Sequence, residues 1–581
     1  MNFYQRGIWR IVLVCLIFLS NVAYISAFAL TPIQVTEQRF HPVSAQHVMV
    51  ASQEQLATQA GLAILKQGGN AVDAAVAVGF ALAVTLPRAG NLAGGGFMLI
   101  YWQPKQQVYA LNYREKAPLH ATSNMFLDAL GNVDQSKWHS SYAAVGVPGT
   151  VAGLVAAQKR FGVLSLAQDL EPAIKLAEQG IPVSFSLAHA IQEAHASLMH
   201  WPASQREFFK SNGQPYQPGD YWRRPELANT LRLIAQKGQA GFYQGKVAKA
   251  IVEDMQRHQG LITLNDLQQY HASWVTPLHS VFRDHDIYVM PPPSSGGVAL
   301  IQLLNILDIY PLQALGLNSA ASIHLLTEAM NLAYRDRNHY LGDPRFVKIP
   351  LKKLLSKEHA QTLRQSLNET QHVPAKELSP IPQSFSEGPN TTHFSVIDQQ
   401  GNMVANTYTL NFSFGNGAVV PGTGILLNNQ MADFTAKPGV ANPYGLVEGE
   451  ANQIEPGKQP LSSMTPTIIL DKAHKPYIAT GTPGGSRIIT TMLQFILNVL
   501  EHHLNIASAT AVPRIHSQLW PDQLSIEQGI SIDTQKILGA MGHQIVEINA
   551  MGSIQTVMQT PDGHKLGYAD PRRAGALAAG Y

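Results

Sequence analysis

Cysteine is almost missing from this 581-residue chain: the single one, Cys15, sits inside an N-terminal apolar run. A mature chain that has shed that run carries no thiol, which excludes disulfides, thiol catalysis and thiolate metal sites. Charge is sparse as well. Asp, Glu, Lys and Arg make up 14% of the residues and sum to a formal +2, so neither nucleic acid nor an anionic membrane surface is an expected partner. Beyond the N-terminal run no stretch reaches 18 uninterrupted apolar residues, so no further membrane span is expected. The sequence also lacks internal repeats and long low-complexity blocks. A nucleotide-binding glycine loop follows a strand and opens a helix, whereas Ala93-Gly94-Gly95-Gly96 follows a helix and opens a strand. A dinucleotide site is therefore rejected, and no cofactor and no metal is expected.

What remains is an ordinary globular composition, 45% hydrophobic, with 46 glycines and 35 prolines that suit a loop-rich enzyme. Arg6 and Arg10 precede the apolar run Ile11 to Leu19, and Ala27-Phe28-Ala29 follows. That order reads as a cleavable export signal over residues 1–29, with an uncleaved anchor as the alternative. The expected location is periplasmic or secreted. Asn70 with Asp73 three residues on predicts a capped helix over Ala71 to Leu86, apolar on nearly every face and hence interior. Residues 172 to 280 read as mostly helical, and Gln107 to Tyr113 as a strand ending in Arg114-Glu115-Lys116. Read alone, Arg114 is a solvated charge.

The one marked shift in composition comes at Gln371 to Asn390, a polar stretch with four prolines and few large apolar residues. It cannot bury enough surface to offset its ordering entropy, so it is expected to be loose and open to cleavage. Thr391 to Asp398 then reads as a β-branched strand, and Met403 to Asn411 as a second one. A three-residue loop with Gly401 in the left-handed position closes them into a hairpin. Pairing Asp398 with Asn402 and counting outward sets Thr409 opposite Thr391, with Asn411 diagonal on the same face. A Thr-Thr pair is usually just a strand start. Here a break between Asn390 and Thr391 would expose an α-amine, which titrates near pH ~7.7–8 and can take the proton of the neighbouring hydroxyl.

Three further clusters stand out. Asn428-Asn429-Gln430-Met431-Ala432-Asp433 brings amides and a carboxylate close enough to receive an ammonium group, or it is a capped loop. Ser462-Ser463 lies on a loop stiffened by Pro460 and Pro466. Thr482-Pro483-Gly484-Gly485-Ser486-Arg487 opens a strong helix, where free N–H groups can hold an oxyanion, or the glycines serve a tight turn. Between them Pro438 to Gly449 reads as a mobile flap centred on Tyr444.

The stretches Asn112-Tyr113-Arg114-Glu115, Thr391-Thr392-His393-Phe394-Ser395, Thr407-Tyr408-Thr409-Leu410-Asn411, Leu427-Asn428-Asn429-Gln430-Met431, Pro460-Leu461-Ser462-Ser463-Met464 and Pro483-Gly484-Gly485-Ser486-Arg487 together resemble the bacterial γ-glutamyltranspeptidases (glutathione hydrolases). The resemblance runs from about Val48 to Tyr581. It implies an α+β fold, the four-layer αββα sandwich of the N-terminal-nucleophile hydrolases, built jointly by a large subunit (30–390) and a small one (391–581). It also implies that Thr391 processes the chain and accepts the acyl group, with the Thr409 hydroxyl in support. By the same resemblance Arg114, Ser462 and Ser463 hold the α-carboxylate of the substrate's glutamyl group, Asn411, Gln430 and Asp433 hold its α-amine, and Gly484 and Gly485 form the oxyanion hole. Tyr444 belongs to a lid. The expected substrates are glutathione and other γ-glutamyl compounds, and the expected acceptors water, amino acids or dipeptides. A cephalosporin- or polyglutamate-type acylase of the same superfamily is one alternative, and a non-catalytic exported binding protein is another.

Overall fold

In the strand Gly95–Trp102, Phe97, Leu99 and Tyr101 enter one apolar cluster and Met98 and Ile100 another. This period of two marks a strand with both faces buried. The same split recurs at Met49 and Ala51 against Val50, and at Met403 and Ala405 against Val404. These strands belong to one seven-stranded sheet in the order Leu577–Gly580, Met49–Ser52, Thr392–Ile397, Met403–Thr409, Gly95–Trp102, Gln107–Tyr113, Ser273–Val275. A second seven-stranded sheet runs Val43–Ala45, Lys565–Ala569, Gln555–Gln559, Pro476–Gly481, Thr467–Leu470, His285–Val289, Leu278–Phe282. Every pairing in both is antiparallel.

The computed structural model describes residues 40–379 and 391–581. The expected signal (1–29), the later part of the expected linker (380–390) and Asn390 itself lie outside the described residues. Pro42–Tyr581 form one unit; of Met1–His41 only the last two residues are described. Among the described residues no helix is long and apolar enough to cross a membrane.

The two sheets face each other, with the Thr392–Ile397 strand packed on Pro476–Gly481 and Gln555–Gln559. Outside the first sheet lie the helices Gln55–Lys66, Ala71–Thr85, Thr150–Phe161 and Pro225–Lys237. Outside the second lie Gly296–Leu307, Ala320–Tyr340 and Arg487–Leu500. This is the four-layer αββα sandwich. The helix Ala71–Thr85 is buried along its whole length and carries the expected capping box between Asn70 and Asp73.

One expectation holds and one needs correction. Residues 172–280 are mostly helical, as expected, and end at the edge strands of the two sheets, Ser273–Val275 and Leu278–Phe282. Their positions are almost all half-buried or exposed, so they offer little apolar signal. The loose segment expected from Gln371 is held at its start. His372 lies between the carboxylates of Glu328 (2.7 Å) and Asp522 (2.9 Å), and Ala375–Leu378 forms one helical turn.

Candidate active site

The hairpin carries the predicted register. Thr392 pairs with Tyr408 and Ile397 with Met403, which sets Thr391 opposite Thr409. The Thr391 hydroxyl donates to Thr409 Oγ1 at 3.3 Å, and the Asn411 amide donates to the same oxygen at 2.9 Å. Gly401 closes the loop at φ 88. The Asp398 carboxylate then accepts the amide (2.9 Å) and side chain (2.7 Å) of Asn402 and the amide of Ala71 (2.9 Å). The hairpin is thereby fixed to the first turn of the buried helix. The glycine run 94–96 serves close packing: a Cβ on Gly94 would lie 1.9 Å from the Thr409 carbonyl oxygen.

Thr391 is buried at 7% exposure and lines a narrow cavity that is partly open to solvent. Around the same space stand Arg114, Thr409, Asn411, Gln430, Asp433, Tyr444, Ser462, Ser463 and Gly485. Gly484, one residue before Gly485 in the chain, is not among the lining residues. One cavity therefore gathers residues from nearly every cluster singled out in the sequence.

Arg114 is not a solvated charge but fully buried. Its Nε donates to Pro460 O (3.2 Å), Nη1 to Glu115 (3.3 Å), and Nη2 to Leu461 O (3.3 Å) and to Asp433. A guanidinium has five N–H donors, so one on Nη1 remains for a ligand. Asp433 Oδ2 also accepts Gln430 Nε2 at 2.6 Å. Asp433 Oδ1 and Gln430 Oε1 are buried and have no hydrogen-bond partner among the described residues. Such acceptors cost free energy when left unmet, and an ammonium group would satisfy both.

Burial raises the pKa of Asp433, against the lowering effect of Arg114 and Gln430. Burial also drives Glu115 up to about 7, opposed by Arg114 and reinforced by Asp433. Because the folded value lies above the ordinary 4.5, the stability owed to Glu115 is fully present below about pH 4.5 and lost as pH rises through about 7. Glu115→Gln is expected to flatten the dependence of melting temperature on pH across that window. Thermal melts of both proteins between pH 4 and 8 check it, and parallel curves would refute it.

The serine loop is braced from an unexpected side. Ser462 N donates to Pro293 O (2.9 Å), while Ser295 donates to Ser462 O through its amide (2.7 Å) and hydroxyl (2.8 Å). The Pro-Pro-Pro-Ser-Ser-Gly-Gly motif at 291–297, to which sequence reading assigned no role, is this brace. Ser462 Oγ accepts the Met464 amide at 3.1 Å, which leaves its proton to donate.

The segment around Tyr444 lies closed. Tyr444 is 7% exposed, donates its hydroxyl to Asn411 Oδ1 and takes its turn from Asn442, whose side chain accepts the amides of Tyr444 (2.9 Å) and Leu446 (3.1 Å). Its ring rests on Gly485, where an added Cβ would fall 2.7 Å from Tyr444 Cδ1 at a backbone φ of 57. Glycine at 485 is thus required both by the turn and by the ring.

Sequence reading missed Arg337, which lines the cavity and pairs with Glu448 at 2.7 Å. It also missed Asn452, whose Nδ2 donates to Glu448 and to Asp433 O (2.7 Å) and whose Oδ1 accepts the Leu461 amide (2.9 Å). These residues stand in no motif, so only the fold could have found them.

Comparison with known proteins decides the family. The gamma-glutamyltranspeptidase family model matches residues 57–580. The chain belongs to the gamma-glutamyltranspeptidase family. A glutathione hydrolase proenzyme of Escherichia coli (strain K12) is 47% identical over 547 residues, 94% of each chain. Among solved structures, a cephalosporin acylase from Bacillus halodurans superposes with a TM-score of 0.81 at 28% identity, covering 95% of this chain and 99% of that one. The Helicobacter pylori gamma-glutamyltranspeptidase is 42% identical with a TM-score of 0.55, covering 60% of this chain and 97% of that one. For the gamma-glutamyltranspeptidase family the αββα sandwich and the N-terminal-nucleophile class of hydrolase follow.

Proposed function

We propose that this chain is exported, cut between Asn390 and Thr391, and then transfers γ-glutamyl groups from glutathione and related amides through an ester on Thr391. The observation that carries the reading is a pair of bare buried acceptors, Asp433 Oδ1 and Gln430 Oε1, in the same cavity as the Thr391 hydroxyl. A substrate with a free α-amine at the end of a short acid chain fits that pair. Its α-carboxylate would meet the remaining Arg114 N–H and the Ser462 and Ser463 hydroxyls.

The steps follow from those positions. In the uncut chain the Thr391 hydroxyl attacks the Asn390 carbonyl, the C–N bond breaks, and water frees the acid; position 391 is left with an α-amine. That amine then takes the hydroxyl proton as Oγ1 attacks the substrate's γ-carbonyl carbon. The proton passes to the departing amine as its C–N bond breaks. Gly485, with Gly484 before it at the N-terminus of Arg487–Leu500, would donate N–H groups to the oxyanion, each such donor being worth about 10²–10³-fold in rate. Tyr444 excludes bulk water from the ester, so that an acceptor amine can compete. Water releases glutamate; an amino acid or dipeptide leaves with the γ-glutamyl group.

An acylase of the same fold is the second reading, favoured by the likeness to the cephalosporin acylase. The two bare acceptors speak against it, since an acyl chain without an amine would leave them unmet. Turnover of γ-glutamyl-anilide against glutaryl-anilide, identical but for the α-amino acid end, tests the choice. A preference of at least ~100-fold for the γ-glutamyl compound is expected from two buried charge-assisted bonds. Equal rates would overturn the reading.

A further inference from the structure

Far from the cavity in sequence, a second polar cluster is buried where the helix Ala320–Tyr340 meets the turn before the strand Ile545–Ile548. His324 and Glu328 are one helical turn apart and share a face. His543 approaches them from the C-terminal part of the chain. All three are buried, at 0%, 2% and 6% exposure. One atom from each, a ring nitrogen of each histidine and a carboxylate oxygen, lie within 4.8 Å of one another.

The surroundings fix which atoms face inward. His324 Nε2 lies 2.7 Å from the Asn368 carbonyl oxygen, which can only accept, so Nε2 carries the proton and Nδ1 presents its lone pair to the cluster. Glu328 is held from behind: His372 Nδ1 lies 2.7 Å from Oε1, and the Val373 amide donates to Oε2 at 3.2 Å. His372 is itself oriented by Asp522 at 2.9 Å. A carbonyl behind one imidazole and donors behind the carboxylate are the partners that orient metal ligands.

The geometry points to a binding site for a divalent transition ion of the zinc class, held by His324 Nδ1, the Glu328 carboxylate and His543 Nε2. Two imidazoles with one carboxylate and no thiolate suit zinc or its neighbours better than calcium or magnesium, which take oxygen ligands. His324 Nδ1 and His543 Nε2 are 2.7 Å apart and share one proton. An ion at about 2.0–2.1 Å from each nitrogen would hold them roughly 3.3 Å apart, so the rings need to part by only about half an ångström. The proton moves from Nε2 to Nδ1 of His543, and no net charge need leave.

The site has a consequence that rests on the proposed cleavage: His324 and Glu328 precede Thr391, whereas His543 follows it. The ion would bridge the two pieces, next to the 371–375 segment that leads toward the cut. Binding itself does not depend on the cut.

Full-length protein stripped with EDTA and titrated with ZnCl₂ alone by calorimetry is expected to take about one equivalent per chain. Glu328→Gln and His543→Gln are each expected to weaken that equivalent by at least ~100-fold, and His372→Gln, which touches no ion, by ~10–100-fold. The absence of a saturable equivalent overturns the site, as does one that survives both ligand substitutions. Melts without metal identify a variant that fails to fold, and the remaining variants then decide. Uncut Thr391→Ala protein should bind zinc like the wild type, so failure of the cleavage reading is separable from failure of the site. For the bridge, EDTA should speed separation of the two pieces in mild denaturant, and an unchanged rate overturns it.

Discussion

Replacing Thr391 by alanine is expected to leave the protein as one uncut polypeptide with γ-glutamyl-anilide turnover reduced by a factor on the order of 10⁵–10⁶. One hydroxyl is asked to do two things, to open the chain and to carry the acyl group, so its loss removes both. Wild-type protein, denatured after export, should run as two pieces, and N-terminal sequencing of the smaller should read Thr-Thr-His-Phe-Ser. Thr391→Ser keeps an oxygen at the same place and should restore both cleavage and turnover, more slowly. An intact wild-type chain that still turns over substrate would refute the proposal, since position 391 would then have no free amine to act as base. An intact chain without turnover would favour the binding-protein alternative.

The second large effect is expected at Asp433. Its carboxylate takes hydrogen bonds from Arg114 and Gln430 and keeps Oδ1 bare in the cavity. Asp433→Asn replaces a charge by a dipole against the substrate's ammonium and leaves Arg114 with only Glu115 as a charged partner. Loss of one member of a buried hydrogen-bonded charge pair costs about 2–5 kcal/mol, so kcat/KM for γ-glutamyl-anilide should fall roughly 30- to 5,000-fold. Glutaryl-anilide, which has no ammonium to hold, should lose far less. The variant should still be cut, because Asp433 stands on the substrate's side of Thr391 rather than on its hairpin. Equal losses on both anilides would show that Asp433 only supports the fold.

Local features of this site were legible in the chain. A β-branched run, a glycine at the left-handed turn position and a second alternating run fixed the hairpin and its register, so the partner of Thr391 could be counted out. Capping residues did the same for the buried helix. What could not be read was pairing across hundreds of residues. Arg114 carries no local sign that Asp433 will meet it, and burial reverses the ordinary expectation for an arginine at a strand end. Arg337 stands on a distant helix, and Glu448 and Asn452 at and just past the end of the Tyr444 segment; only packing makes them the wall behind Asp433. The edge strands at 273–282 escaped because half-exposed strands show weak alternation.

In the first sheet Thr392–Ile397 lies between Met49–Ser52, from upstream of the proposed cut, and Met403–Thr409, from downstream. In the second sheet the downstream strands are flanked on both sides by upstream ones. Severing the backbone at 391 would therefore subtract one covalent bond and no ladder. The finished molecule would be two polypeptides woven through a common weft, unable to part without melting together. Once melted they would have to find each other again in solution, so the endurance of such an enzyme is set by how slowly it unravels rather than by any balance of folded and unfolded forms.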